Sequence, residues 1–298
     1  MEESNNLRMM ERPRELCCGC GLILTERYWG SRDPVPCPAC HRVHPLSGPG
    51  GAPPSLERDF TLGTGWRREE CLGRGRLGES WLWRTPDGRQ RVVMKWLPAA
   101  TPAHRQLWQQ YLGEWAAFSH PGIMPVLGRG ETPGGVYGLM PYREEESLEL
   151  RLRHRGPLSE HEMLHLLART VPVLGTALAQ GVLHGGLKPA NLFWNGEGPV
   201  ILSDFGLGRA WRGQVAQWER SPFPCDAPES RQAGILDRRT DIFSLGATAY
   251  ELLTGQAWPA GGAWPRWVTL RLRESPLLRG LLSRMTAPYR WNLLLMGL

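Results

Sequence analysis

Five of the seven cysteines fall within the first forty residues, and four of them stand in two pairs: Cys17 with Cys20, and Cys37 with Cys40. Two residues between thiolates let the chain turn so that both sulfurs reach one tetrahedral ion, and two such pairs sixteen residues apart have the spacing of a zinc ribbon. Gly19 and Gly21 permit the turn at the first knuckle. Cys18, His41 and His44 are alternative candidates for the fourth ligand. Four protein ligands leave no open coordination position, so Zn²⁺ here is expected to be structural, in a docking or stabilising module. Zinc binding contributes about 10–16 kcal/mol in such peptides, which a short segment with little apolar content needs in order to fold.

Further along, a second set of chemically competent residues appears in a fixed order. Gly73-x-Gly75-x-x-Gly78 lies between two strand-like segments, followed by a turn at Pro86-Asp87-Gly88 and by Val92-Val93-Met94-Lys95. The triplet does not open a helix, so it is not a dinucleotide fingerprint. A helical stretch, RQLWQQYLGEWAAF, carries Glu114. Then come LHGGLKPANLFW, ILSDFGLGRA, CDAPES and TDIFSLGATAYELLTG.

These ordered motifs resemble the protein kinase superfamily, bacterial Ser/Thr kinases in particular, over residues 66–298. The implied fold class is α+β: a bilobal protein kinase fold, with a small β-rich N-lobe and a mainly helical C-lobe, preceded by the zinc ribbon. The resemblance implies roles by position. Gly73, Gly75 and Gly78 would cover the phosphates of ATP with backbone amides. Lys95 would hold the α- and β-phosphates, with Glu114 pairing with it and orienting it. Asn191 and Asp204, the latter in Asp204-Phe205-Gly206, would hold Mg²⁺, and Lys188 matches the lysine that helps neutralise the γ-phosphate. Met140 sits at the gatekeeper position, and the backbone from Pro141 to Arg143 would meet the adenine. His184 would support the core beneath Phe205. Glu229, Asp241 and Arg290 match structural positions of the helical lobe. Only two of the 35 Lys and Arg residues are lysine, and they are Lys95 and Lys188. A compact ammonium suits a phosphate site where a planar guanidinium does not.

The catalytic loop departs from the family's His-Arg-Asp-x-Lys-Pro-x-Asn. It reads His184-Gly185-Gly186-Leu187-Lys188-Pro189-Ala190-Asn191. Gly186 stands where the family has the aspartate that orients the substrate hydroxyl and accepts its proton. Gly185 removes the arginine that reads a phosphorylated activation loop. Pro222, in the segment from Ser221 to Glu229, stands where related kinases carry a threonine. The expected protein is a pseudokinase that binds Mg-ATP and serves as a regulatory switch or scaffold for protein partners. The alternatives are a weak or atypical Ser/Thr kinase or other ATP-dependent transferase, with Asp226 or Glu197 supplying the missing acid, and a zinc-ribbon module associated with nucleic acid.

The elements that must position these groups divide as a zinc ribbon at 1–44, a Pro/Gly-rich linker at 45–65 and a kinase-like domain at 66–298. A net charge of +6 favours acidic partners only weakly, because it is spread along the chain without a basic run. No stretch approaches the ~18 apolar residues that span a bilayer, and the charged N-terminus lacks the core of a signal peptide. A cytoplasmic protein with no membrane partner is expected.

Overall fold

The structure, a computed structural model, describes residues 56, 60–62, 65–75, 78–99, 101–206, 225–228, 237–259 and 275–286, with the backbone of 15–17 and 23–25. Near the N-terminus, β1 (Glu15–Cys17) pairs antiparallel with β2 (Ile23–Thr25), Cys17 opposite Ile23. Cys20, Cys37 and Cys40 lie outside the described residues, so the predicted zinc site does too.

The smaller lobe is a five-stranded antiparallel sheet in the order β3-β4-β5-β7-β6. Its strands are β3 (Arg67–Gly75), β4 (Gly78–Arg84), β5 (Arg91–Pro98), β6 (Gly128–Thr132) and β7 (Gly135–Pro141). Paired residues in a ladder share a face, and alternate residues along a strand change face. Ser80 pairs with Lys95 and Leu82 with Val93, while Lys95 pairs with Gly138 and Val93 with Met140. The register therefore gathers Lys95, Val93 and Met140 on one face. Trp83, Val92, Met94, Trp96, Tyr137 and Leu139 occupy the other.

That second face is covered by chain from the stretch read as a linker. Leu56, Phe60 and Leu62 of that stretch, with Trp66 at the start of the kinase-like domain, pack with Trp83, Met94 and Trp96 in a separate apolar cluster. Leu56 is 3% exposed, and the Phe60 ring meets Trp83 and Tyr137 edge-on at centroid distances of 5.9 and 5.6 Å. These apolar residues have no regular period because they seat on a face the sheet has already formed, and so they escape a periodicity reading.

Helix α1 (Pro102–Ala117) starts at a Thr101 N-cap with Pro102 in its first turn, where a missing N–H costs nothing. Its buried residues are Trp108, Tyr111, Leu112 and Trp115, spaced i, i+3, i+4, i+7 as one helix face. Leu112 reaches the sheet at Gly138, where a Cβ would come within 2.8 Å of it.

The larger lobe is helical. Ser147 caps α2 (Leu148–Arg155), and Ser159 with Glu162 forms a capping box on α3 (Glu160–Ala179). Helix α4 (Arg238–Thr254) is buried around most of its circumference and forms the axis of the lobe, ending at a left-handed Gly255. Helix α5 (Pro276–Met285) packs on α4 through Leu278, Leu282 and Met285. Between α3 and α4 runs a two-stranded ribbon, β8 (Leu192–Phe193) with β9 (Ile201–Leu202). Among the described residues no helix is long and apolar enough to cross a membrane.

Candidate nucleotide-binding cleft

The β8–β9 ribbon places two of the predicted metal-binding residues side by side. Asn191 immediately precedes β8 and Asp204 follows Ser203 after β9, and Ser203 N donates to the Asn191 carbonyl at 2.9 Å. From the sheet above, Lys95 Nζ reaches Asp204 Oδ2 at 2.8 Å, tying the two lobes together. The pair is largely withdrawn from solvent, at 14% and 9% side-chain exposure. Burial pushes the Asp204 carboxyl up, but the charge and hydrogen bond of Lys95, with the charge of Lys188, outweigh it and hold the group below its ordinary range. Asp204 is the one non-glycine residue with positive φ among the described residues, at 59°. Such backbone strain persists only where surrounding contacts over-determine it.

The loop from His184 to Asn191 is held from beneath. Asp241, in the first turn of α4, accepts from the amides of His184 and Gly185, each at 2.8 Å. Gly185 adopts φ 69°, a left-handed conformation that glycine takes without steric cost. Asn191 Nδ2 donates to the Gly186 carbonyl at 2.9 Å. Gly186 thus presents backbone alone to the cleft. His184 is fully buried and its ring lies 4.8 Å from that of Phe205, as expected for a support beneath that side chain. Burial lowers the His184 pKa against the opposing pull of Asp241 and Asp204. Phe205 also stacks on Phe118, just past α1, at 6.1 Å.

Glu114 departs from expectation. It is exposed, and its carboxylate accepts from Gln110 Nε2 at 2.8 Å rather than meeting Lys95. The phase of α1 explains this: the inward face carries Tyr111 and Trp115, with Tyr111 alongside Gly206. Lys95 is left with Asp204 as its carboxylate partner. The apolar spacing of the helix carried the signal, since a residue three after Tyr111 but one before Trp115 faces outward.

The remaining predicted residues fall around the cleft. Met140 is buried opposite Val93 at the end of β7. Arg143 follows the strand, its guanidinium held in a two-point pair with Glu145 at 3.1 and 3.0 Å. Gly73 has open space where a side chain would project, and Gly75 pairs with Gly78 across the turn. Gly78, at φ 140°, admits no Cβ because one would run into the Trp96 carbonyl. Lys188 lies close enough for its charge to act on Asp204, Cys225 and Glu251. Glu229, Pro222 and Arg290 lie outside the described residues.

An ammonium paired with a carboxylate, with a carboxamide residue held alongside by the β8–β9 ribbon, is the donor set with which protein kinases hold a nucleotide. The chain belongs to the protein kinase family: the protein kinase domain matches residues 66–263. It is 32% identical over 203 residues to the serine/threonine-protein kinase PknK of Mycobacterium bovis, covering 66% of this chain and 18% of that protein. With PknJ of Mycobacterium bovis it shares 30% over 213 residues, 67% of this chain and 35% of that one. With PknB of Mycobacterium leprae it shares 28% over 237 residues, 76% and 37% respectively. The chain therefore spans well under half the length of these relatives. The crystal structure of Rad53 1-466 in complex with AMP-PNP superposes with a TM-score of 0.62 at 17% identity, over 75% of this chain and 60% of that chain. That likeness establishes the fold.

Proposed function

We propose that this chain is a pseudokinase: its cleft binds Mg-ATP, and the domain acts as a regulatory switch or scaffold for protein partners. Residues 66–298 form the kinase-like domain and residues 1–44 a zinc ribbon held by Cys17, Cys20, Cys37 and Cys40, serving as a docking module. The carrying observation is the contrast around Gly186. Lys95 and Asp204 are paired in the cleft and Asn191 is fixed beside them, so the donor set suits a polyphosphate and a divalent cation. Bound Mg-ATP brings the phosphate charge and the cation that these groups, with Lys188, neutralise. At the position where the family places the proton acceptor there is only a backbone carbonyl, already taken by Asn191. Loss of acid–base assistance costs about 10²–10⁴ in rate, and loss of hydroxyl positioning adds to it. Nucleotide would act by mass action on the arrangement of the two lobes, which partners would sense.

A second reading, a weak phosphotransferase, has one observation in its favour. Lys188 acts electrostatically on Asp204 and also on Cys225 and Glu251, which brings the buried Asp226 into the same neighbourhood. Incubation with γ-labelled ATP and a general protein substrate separates the two. The pseudokinase reading predicts no transfer at kinase-like rates, and Gly186→Asp should raise the residual rate on the order of 10²-fold or more. Slow transfer by the unmutated chain that is lost on Asp204→Asn would favour the second reading, and transfer at about 1–100 s⁻¹ would overturn the pseudokinase reading outright.

A further inference from the structure

Glu79 is the first residue beyond the glycine-rich loop, and its side chain turns away from the cleft onto the outer face of the sheet, where it is 4% exposed. A buried carboxylate is stable only when its oxygens are satisfied. One oxygen, Oε2, accepts from the Leu56 amide at 3.1 Å and from the Trp81 indole N–H at 2.7 Å. The other, Oε1, pairs with Arg74 Nε at 3.1 Å. Arg74 lies within the loop, between Gly73 and Gly75, and its guanidinium sits 5.6 Å from the Trp81 ring, which Arg68 also covers at 4.8 Å. Leu56 is anchored independently of Glu79, buried in the apolar cluster with Trp83 and Trp96. One carboxylate thus joins three things: the loop, the strand that follows it, and the chain entering the fold.

We propose that Glu79 is a positioning residue for the glycine-rich loop, coupling how Arg74 on the first arm of that loop is held to whether Leu56, Phe60 and Leu62 are seated on the outer face of the sheet. Its functional consequence rests on the cleft being a nucleotide site; the coupling itself belongs to the protein without nucleotide. Anything that lifts this segment from the sheet removes a donor from Glu79 and loosens its hold on Arg74.

Hydrogen–deuterium exchange on the full chain tests the coupling, comparing the unmutated protein with Phe60→Ala, Glu79→Ala and Glu79→Gln. Phe60 touches Trp83 and Tyr137, so its truncation loosens the segment without altering a loop contact. Exchange in α3 serves as the internal reference. The expected result is on the order of tenfold faster exchange at residues 70–79 in Phe60→Ala, relative to α3. Glu79→Ala should do the same, and so should Glu79→Gln at residues 70–75, because it loses the charge that holds Arg74. Glu79→Gln keeps an acceptor for Leu56 and Trp81, so exchange at Leu56 should lie nearer the unmutated protein. Faster exchange confined to residues 54–66, or a rise at 70–79 no greater than in α3, would overturn the proposal. A parallel thermal titration keeps the two readings apart. If the unmutated protein shows no shift with Mg-ATP, the nucleotide reading fails while the exchange result still decides the coupling.

Discussion

Lys95 and Asp204 each compensate the other's burial, and that mutual dependence governs what substitutions there will do. Lys95→Ala leaves a buried carboxylate without its partner and should lower stability by about 3–5 kcal/mol in denaturant titration. Because the Asp204 pKa is depressed in the folded state, the stability it contributes is present above the ordinary carboxylate range and lost as pH falls through its lowered value. Glu251 has the opposite sign. Burial, reinforced by Glu149 and only partly offset by Cys225, Lys188 and Arg153, raises its pKa to about 7. Between the ordinary glutamate range and about pH 7 the folded state keeps a proton that the unfolded chain has lost, so stability should fall as pH rises through that window. Because the lowered pKa of His184 acts in the opposite direction below the ordinary histidine range, the test is the difference between the unmutated protein and Glu251→Gln. From pH 5 to 8 the melting temperature of the unmutated protein should fall relative to that of the variant.

At the scale of elements, the parts of the cleft built on loops were legible in the sequence and the part built on a helix was not. The segments 184–191 and 204–206 carry their chemistry in consecutive residues, so the resemblance to the kinase motifs could assign Asn191, Asp204 and Lys188 one by one. Helix α1 instead selects by angular phase. The resemblance to the kinase family assigned Glu114 as the partner of Lys95, yet Trp108, Tyr111, Leu112 and Trp115 define the buried face and leave Glu114 outside it. Glu114→Gln should accordingly change stability by no more than about 0.5 kcal/mol and leave any nucleotide-induced shift intact. Phe118→Ala, which strips the ring stacked on Phe205, should cost about 3–5 kcal/mol by denaturant titration. The covering residues Leu56, Phe60 and Leu62 were illegible for another reason: their Pro- and Gly-rich surroundings resemble a spacer, and they match a surface that the sheet itself provides.

At the scale of the whole molecule, the two lobes meet in a described ion pair between Lys95 on the sheet and Asp204 beside the β8–β9 ribbon. A ligand engaging both ends of that contact binds only the folded arrangement and stabilises it by mass action, by about 2.7 kcal/mol at a hundred times its dissociation constant. The most direct measurement is therefore a thermal titration of the full chain with ATP, with and without Mg²⁺, beside Lys95→Ala and Lys95→Arg. Arginine retains a positive partner for Asp204, so that variant stays folded while replacing the compact ammonium. A Mg²⁺-dependent rise in melting temperature in the unmutated protein, lost in both variants, is the predicted result. No rise at millimolar nucleotide, or an equal rise in all three proteins, would contradict nucleotide binding in this cleft.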